Sequence, residues 1–380
     1  MRIAIDIRPL LRKGTGVGVY LKNLISNLSQ IDRNNKYILF TSSWKDRFSA
    51  DIFDLPDSFS IKDYRIPVRV LNYLWHNLKF PPAHWLLGKC DISHSPSPLL
   101  LPLKGSRKIV TIHDLFFLRH PQLTKAEIRR DYPRLVKAHA QATDAIIAVS
   151  HHTAKDIHEM LDIPEEKIRV IPLGVEELFW DNAEKAEIQA IRKKFPLSKD
   201  FILFVGIIEP RKNLPLLLRA FRQLIDHGHP ELQLVIAGER GWGCEEFDSE
   251  LKDDNLKDRV LITGYLNRIE LRALYQKARL FAFPSLYEGF GLPLVEAMAS
   301  GLPIVALRTS SVPEVVGKAA VLLDEPDPEL FASEMERLLS DASLRELLNQ
   351  LGREMAKHFS WSLTAFHTLK LYQELYNKNK

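Results

Sequence analysis

The stretch LFAFPSLYEGFGLPLVEAMASG, residues 280–301, decides how this chain is read. Leu280–Phe283 is an apolar run of strand length. A loop carrying Gly289 and Gly291 follows, and a helix is expected from Pro293, because the fixed φ and missing N–H of proline suit a first helical turn. Gly301 followed by Pro303 should end that helix. Strand, glycine loop and helix in this order suit a parallel sheet whose ligands lie beyond the carboxyl ends of its strands. A helix N-terminus offers free N–H groups and a partial positive charge, which favours a phosphate. Glu288 falls in the loop and Glu296 in the first helical turn, so both can face one pocket. Carboxylates accept hydrogen bonds from sugar hydroxyls, and such a pair could hold two polyol rings.

The same alternation runs outward in both directions. Arg2–Ile7, Lys36–Phe40, Lys108–Ile112, Ala145–Val149 and Arg169–Ile171 read as strands. The first intervening helix has Val17, Tyr20, Leu21, Leu24, Ile25 and Leu28 on one face. A second series follows, with strands at Phe201–Val205, Leu232–Ala237, Val260–Thr263, Leu280–Phe283, Ile304–Ala306 and Ala320–Leu323. Asn267 with Glu270, and Ser311 with Glu314, have capping-box spacing. Alternating strands and helices imply an α/β protein with two parallel, doubly wound sheets. The boundary is expected in the mixed-charge stretch Pro172–Lys199, giving domains 1–180 and 181–360. The tail 361–380 carries Leu363, Phe366, Leu369, Tyr372 and Tyr376 at helical spacing and is expected to pack back on the first domain.

Bulk properties agree. At 380 residues the chain exceeds what one core fills, about 250–300 residues. Hydrophobic residues are 46% and charged residues 26%, a globular balance. A net charge of +4, spread along the chain, suits an anionic small ligand or an acidic lipid surface but is too weak for nucleic acid. Cys90 and Cys244 have no ligand-like neighbours, which argues against a disulfide framework or zinc and fits a reducing cytoplasm. The N-terminus reads as a strand, not a signal peptide, and no run approaches about 18 apolar residues. A cytoplasmic protein is expected.

Four further constellations bear on chemistry. In FVGIIEPRKN, residues 204–213, Gly206 marks the bend after a strand, and Arg211 and Lys212 project from the turn, well placed for a diphosphate. In isolation such a pair reads as a solvated turn. In KIVTIHDL, residues 108–115, His113 follows a strand directly, although a lone histidine is more often structural. Gly14, Gly16 and Gly18 form a glycine-rich first turn that falls short of the full dinucleotide fingerprint. Arg69–Lys89 mixes Tyr73, Trp75 and Trp85 with leucines and cations, a composition that suits a membrane interface or, more plainly, a core helix and loop. No two aspartates occur as DxD, so that device for holding a diphosphate through a metal ion is missing from the sequence.

The string Glu288-Gly-Phe-Gly-Leu-Pro-Leu-Val-Glu296-Ala resembles the paired-glutamate motif of the retaining GT-B glycosyltransferases of family four, the group 1 glycosyltransferases. Many of these are mannosyl- and glucosyltransferases of bacterial polysaccharide assembly. The resemblance covers nearly the whole chain and is most specific in its second half. It implies the GT-B fold, two Rossmann-like domains facing across a cleft, with the nucleotide sugar on the second and the acceptor on the first. It assigns Glu288 to the donor sugar, Glu296 to the ribose hydroxyls, and Gly289, Phe290, Gly291 and Leu292 to the diphosphate and sugar. Arg211 and Lys212, beside Gly206, become the diphosphate cations. His113 meets the donor sugar, with its backbone carbonyl a candidate for the group that matters, and Gly16 borders donor or acceptor. One departure stands out: many relatives carry an arginine directly after the glycine, where this chain has Ile207. Arg211 is the candidate to take that place.

The expected reaction moves a hexose, mannose first and from GDP-mannose, to a glycan or lipid-linked acceptor, with no metal and no cofactor beyond the donor. The TIHDLFFLRHP stretch looks most like mannosyltransferases that use that donor. Peripheral contact with the inner membrane face is a further expectation. The rival readings are an epimerase or phosphorylase on the same fold and a non-catalytic nucleotide-sugar-binding subunit.

Overall fold

A computed structural model describes every residue except 13, 50, 51, 79, 379 and 380, and the side chains at 76, 77 and 126–128 are also outside the description. The chain divides into two compact units, Met1–Arg119 with Ala126–Gly174 and Trp361–Lys380, and His120–Lys125 with Val175–Ser360. The change of unit between Gly174 and Val175 has a visible cause. Val175 forms a parallel bridge with Ser360 and donates its N–H to the Phe359 carbonyl at 3.1 Å, which ties it into the second unit.

The first unit is built on a seven-stranded sheet of β1 (Arg2–Asp6), β2 (Lys36–Ser42), β3 (Phe59–Tyr64), β4 (Ile92–Ser95), β5 (Arg107–Ile112), β6 (Ala145–Ala148) and β7 (Ile168–Val170), in the order β3-β2-β1-β4-β5-β6-β7. Its pairings are parallel. The order reverses between β1 and β4. β3 and β4 are additions to the sequence reading. β4 reads Ile-Ser-His-Ser and is buried throughout, so its polar composition hides a central strand.

Helix Gly16–Ile31 buries Tyr20, Leu21, Leu24, Ile25 and Leu28, with Thr15 capping it by accepting from the Gly18 N–H. Helix Trp361–Asn377 also belongs to this unit, but its buried face differs from the expected stripe. Trp361, Thr364, Ala365, Thr368, Leu371, Tyr372 and Leu375 point inward, while Leu363 and Phe366 are exposed. Threonine and alanine share the close-packed side of this helix with Trp361, Leu371, Tyr372 and Leu375, so Leu363 and Phe366 mark the wrong face.

A buried polar chain joins these elements. Tyr372 Oη lies 2.6 Å from His94 Nδ1, His94 Nε2 lies 2.8 Å from Thr111 Oγ1, and Thr111 Oγ1 lies 3.1 Å from Tyr20 Oη. A neutral imidazole donates at one nitrogen and accepts at the other, so His94 can serve both neighbours at once. Burial, aided by the nearby His113, pushes His94 down to about 3 and keeps it neutral.

The second unit has a six-stranded parallel sheet of β8 (Phe201–Val205), β9 (Gln233–Ala237), β10 (Val260–Ile262), β11 (Leu280–Phe283), β12 (Ile304–Leu307) and β13 (Ala320–Leu323), in the order β10-β9-β8-β11-β12-β13. The direction of winding reverses between β8 and β11. Helix Leu214–Asp226 packs Leu217 and Phe221 into a core with Ile236 and Met335. Together the two sheets, each flanked by helices, form an α/β protein of two Rossmann-like domains.

Replacing Tyr372 by Phe removes one buried hydroxyl and leaves His94 Nδ1 without its partner. The expected loss is about 1–3 kcal/mol of unfolding free energy, read from denaturant titration. The wild type should also lose stability as pH falls below about 6.5, because the unfolded chain takes up a proton that folded His94 refuses until about pH 3. A His94→Gln variant should show a shallower decline on the same acid side.

Candidate active site

The reversal between β8 and β11 is where an open parallel sheet presents a ligand crevice. The turn after β8 supplies Glu209, Arg211 and Lys212, and the loop after β11 supplies Tyr287 and Glu288. These loops, separated by more than 70 residues in the chain, meet in one ion cluster. Lys212 Nζ lies 2.5 Å from Glu288 Oε1, and Arg211 Nη1 lies 2.9 Å from Glu288 Oε2. Arg211 also pairs with Glu209 at 2.8 Å and donates to the Tyr287 carbonyl at 3.1 Å. Burial pushes the Glu288 carboxyl up, but the Lys212 and Arg211 charges outweigh it and hold the group below its ordinary range. Burial likewise lowers Lys212, with Glu288 opposing that shift.

This arrangement refines the expectation for the two cations. Arg211 and Lys212 do not stand alone in a solvated turn: two buried carboxylates, Glu209 and Glu288, balance their charge. Glu209 was not singled out by sequence reasoning, although it lies two residues before Arg211. Ile207 is an exposed apolar side chain, and Arg211 is the guanidinium that meets Glu288.

The backbone around the cluster is closely fitted. A Cβ at Gly238, directly after β9, would lie 1.8 Å from the Gly206 carbonyl oxygen, so only glycine allows the two turns this close. Gly291 has φ +94 and precedes helix Leu292–Ala299 as its N-cap, a conformation that favours glycine. Its lack of a capping side chain leaves the start of that helix to its own N–H groups. Gly289 lies in the same loop, and Phe290 is buried edge-on against Phe359, with ring centroids 5.4 Å apart.

The loop after β12 braces the loop that carries Glu288. The Glu288 N–H donates to Ser310 Oγ at 2.7 Å, and Ser311 Oγ donates to the Glu288 carbonyl at 3.0 Å. The capping box expected at Ser311 and Glu314 does not form: Ser311 has helical rather than extended dihedrals, φ −79 and ψ −9, and its hydroxyl is turned to the Glu288 carbonyl. The box at Asn267 and Glu270 does form. Ser310 and Ser311 were missed as site residues; their place directly after β12, at the same sheet edge, was the available signal.

Glu296 sits in helix Leu292–Ala299, one residue beyond its first turn, and faces a separate cluster. Arg268 Nη2 donates to its Oε1 at 2.6 Å, and Tyr275 Oη donates to its Oε2 at 3.0 Å. Burial raises the Glu296 carboxyl above its ordinary value despite the charge of Arg268.

His113 and Gly16 belong to the first unit, at the carboxyl edge of its sheet. His113 Nε2 lies 3.1 Å from the Pro96 carbonyl, so that nitrogen carries the proton, and its ring packs edge-on against Tyr20 at 5.1 Å. Burial pushes the imidazole down to about 4, so it is neutral near pH 7. Gly16 opens the helix that carries Tyr20.

Two family models match this chain, Glycosyltransferase Family 4 over residues 14–177 and Glycosyl transferases group 1 over residues 186–355. The O-antigen chain mannosyltransferase B of Escherichia coli is 30% identical over 99% of this chain and 100% of its own length. Among solved structures, a sucrose-phosphate synthase from Thermosynechococcus elongatus superposes with a TM-score of 0.79 at 22% identity, covering 100% of both chains. Anabaena Alr3699/HepE in complex with UDP-glucose superposes at 0.74 with 15% identity, covering 98% of this chain and 100% of that one. Matched across both halves of its sequence and in both of its sheets, the chain belongs to the group 1 glycosyltransferases of family four and has the GT-B fold.

Proposed function

We propose that the protein transfers mannose from GDP-mannose to a hydroxyl of a glycan or lipid-linked acceptor, retaining the anomeric configuration and needing no divalent metal ion. The observation that carries this reading is the buried Glu288–Lys212–Arg211 cluster at the β8–β11 reversal, next to the start of helix Leu292–Ala299. The name of the Escherichia coli relative supports mannose as the sugar.

On this reading the bond between the anomeric carbon and the diphosphate oxygen breaks, and negative charge develops on the leaving group. Lys212, Arg211 and the N–H groups near Leu292 receive that charge, which lowers the barrier where the demand arises. Gly206, Gly289 and Gly291 let the backbone approach the diphosphate, and Phe290 contributes its backbone amide. The arriving phosphates compete with Glu209 and Glu288 for the two cations. Glu288 then has lone pairs for the sugar hydroxyls, which orients the ring. Metal independence rests on these protein cations being at hand for the diphosphate.

An inverting route needs a base on the acceptor hydroxyl, opposite the leaving group. His113 is the only candidate among the motif residues, and we assign it, through its carbonyl, to the donor sugar instead. A double displacement needs a carboxylate at the anomeric carbon, and Glu288 is committed to cations and sugar hydroxyls. Same-face attack remains: the departing phosphate oxygen takes the acceptor proton as the new glycosidic bond forms.

Incubation with GDP-mannose and an acceptor, after exhaustive chelation, tests these points together. An α-linked product by proton NMR, formed at an unchanged rate without metal, is expected. A β-linked product would remove the same-face route, and metal-specific recovery of a lost rate would overturn the leaving-group assignment.

We further propose contact with the inner face of a membrane through residues 69–89, where residue 79 lies outside the described residues. Leu71, Trp75, Ala83 and Leu87 are buried in the first unit, whereas Val70, Tyr73, Leu78, Phe80 and Trp85 are exposed together with Arg69 and Lys89. The buried side of this stretch is the ordinary core packing, and the exposed side is what motivates the membrane proposal. Aromatic and basic exposure of this kind suits an anionic lipid surface. No helix among the described residues is long and apolar enough to cross a membrane. Vesicles containing phosphatidylglycerol should sediment the protein, and a Tyr73→Ser, Trp85→Ser double variant should stay in solution. Equal sedimentation of both would refute the contact.

A further inference from the structure

Glu296 is held by protein donors on both of its oxygens, and the way they are supplied is specific. Arg268 is the first residue of helix Arg268–Lys277, whose start is fixed by the reciprocal Asn267–Glu270 cap. Its Nη2 reaches Glu296 Oε1 at 2.6 Å, while its Nε donates to Glu176 Oε2. Its guanidinium lies 4.6 Å from the centroid of the Phe179 ring. Tyr275, two turns along the same helix, donates to Glu296 Oε2 at 3.0 Å. At the other end of helix Leu292–Ala299, Ser300 Oγ donates to the Phe179 carbonyl at 3.3 Å. The glutamate and the arginine that holds it are thus braced against one short segment, Glu176–Phe179.

A carboxylate has about four acceptor positions, two on each oxygen. Arg268 and Tyr275 occupy one on each and fix the plane of the group. One acceptor position per oxygen is left, enough for two vicinal hydroxyls. A buried carboxyl without a cation would instead take up a proton, replacing an acceptor by a donor.

We infer that Arg268 is a positioning residue for nucleotide binding: it keeps Glu296 ionised and aimed, so that both oxygens can accept from the paired hydroxyls of a ribose. This rests on the assignment of Glu296 to the ribose. The charged and titratable groups that face Glu296 are Arg268 and Tyr275 from helix Arg268–Lys277 and Glu176 from the segment before the Glu177–Phe179 turn. Glu176 competes for the same guanidinium, and burial already raises Glu296, so the margin that keeps it charged depends on Arg268.

The sign follows from the role. Ribose binding needs the ionised form, so loss of Arg268 should move the pH at which affinity fails upward. Isothermal titration with GDP and with UDP, following the tighter of the two from about pH 6 to about pH 9, reads this directly. Each variant is expressed as a ratio to wild type, which cancels titration of the nucleotide's own phosphate. Arg268→Met should bind about tenfold more weakly at the acid end and approach wild type at the alkaline end. Arg268→Lys should restore a ratio that varies little with pH. If Arg268→Met does not fold, the Arg268→Met, Glu176→Gln double variant carries the same measurement with one fewer stranded carboxylate. A ratio for the methionine variant that is constant across pH would overturn the inference. Wild-type affinity in Glu296→Gln would instead overturn the ribose assignment beneath it.

Discussion

The second unit is organised around one buried carboxylate, Glu288, held between Lys212 and Arg211. Taking these charges out of water is costly, and it is tolerated only while each has its partner. The surrounding structure meets that condition from several directions. Glu209 shares Arg211, the Tyr287 carbonyl takes another of its N–H groups, and Ser310 and Ser311 fix the glutamate backbone. Gly238 lets the turn after β9 close onto the turn that carries the cations. Removing either cation would leave the glutamate with one partner in place of two, and removing the glutamate would leave two cations with one carboxylate, Glu209, beside them.

The first unit solves a related problem without ions. Its central tie runs through neutral groups, Tyr372, His94, Thr111 and Tyr20, and burial holds the histidine uncharged. A neutral chain suits an element that holds the closing helix to the sheet. An ionic cluster suits the proposed site, where a diphosphate would take over the cations from the carboxylates that hold them in its absence. The same contrast separates Glu288 from Glu296. The former shares two cations, whereas the latter depends on Arg268 and a tyrosine hydroxyl, with burial pulling the other way.

Much of this was legible in the sequence, and the exceptions have physical reasons. All six strands of the second sheet were readable because they are apolar runs ended by glycine, proline or a turn residue. β3 and β4 were not, since Phe59–Tyr64 is half-exposed and polar and Ile92–Ser95 carries a buried histidine between two serines. The inward face of the last helix was misjudged because Thr364, Ala365 and Thr368 pack there and Phe366 does not. At the site, the residue types and their loops were evident, but their pairing was not. Arg211 and Lys212 looked like free cations because the carboxylate they share lies 76 and more positions away. Ser311 looked like a helix cap because local spacing says nothing of a loop arriving from another strand.

The central claim is that Lys212 and Glu288 form one interdependent charged unit rather than two separate surface charges. A double-mutant cycle measures this most directly, with unfolding free energies for Lys212→Met, Glu288→Gln and the pair. Glu288→Gln should cost about 3–5 kcal/mol, because it leaves the buried Lys212 ammonium without its carboxylate, and Lys212→Met should cost less, because Arg211 still pairs with Glu288. The double change should cost less than the sum by about 1–3 kcal/mol, the range seen for residues in direct contact. Additivity to within about 0.5 kcal/mol would contradict the account.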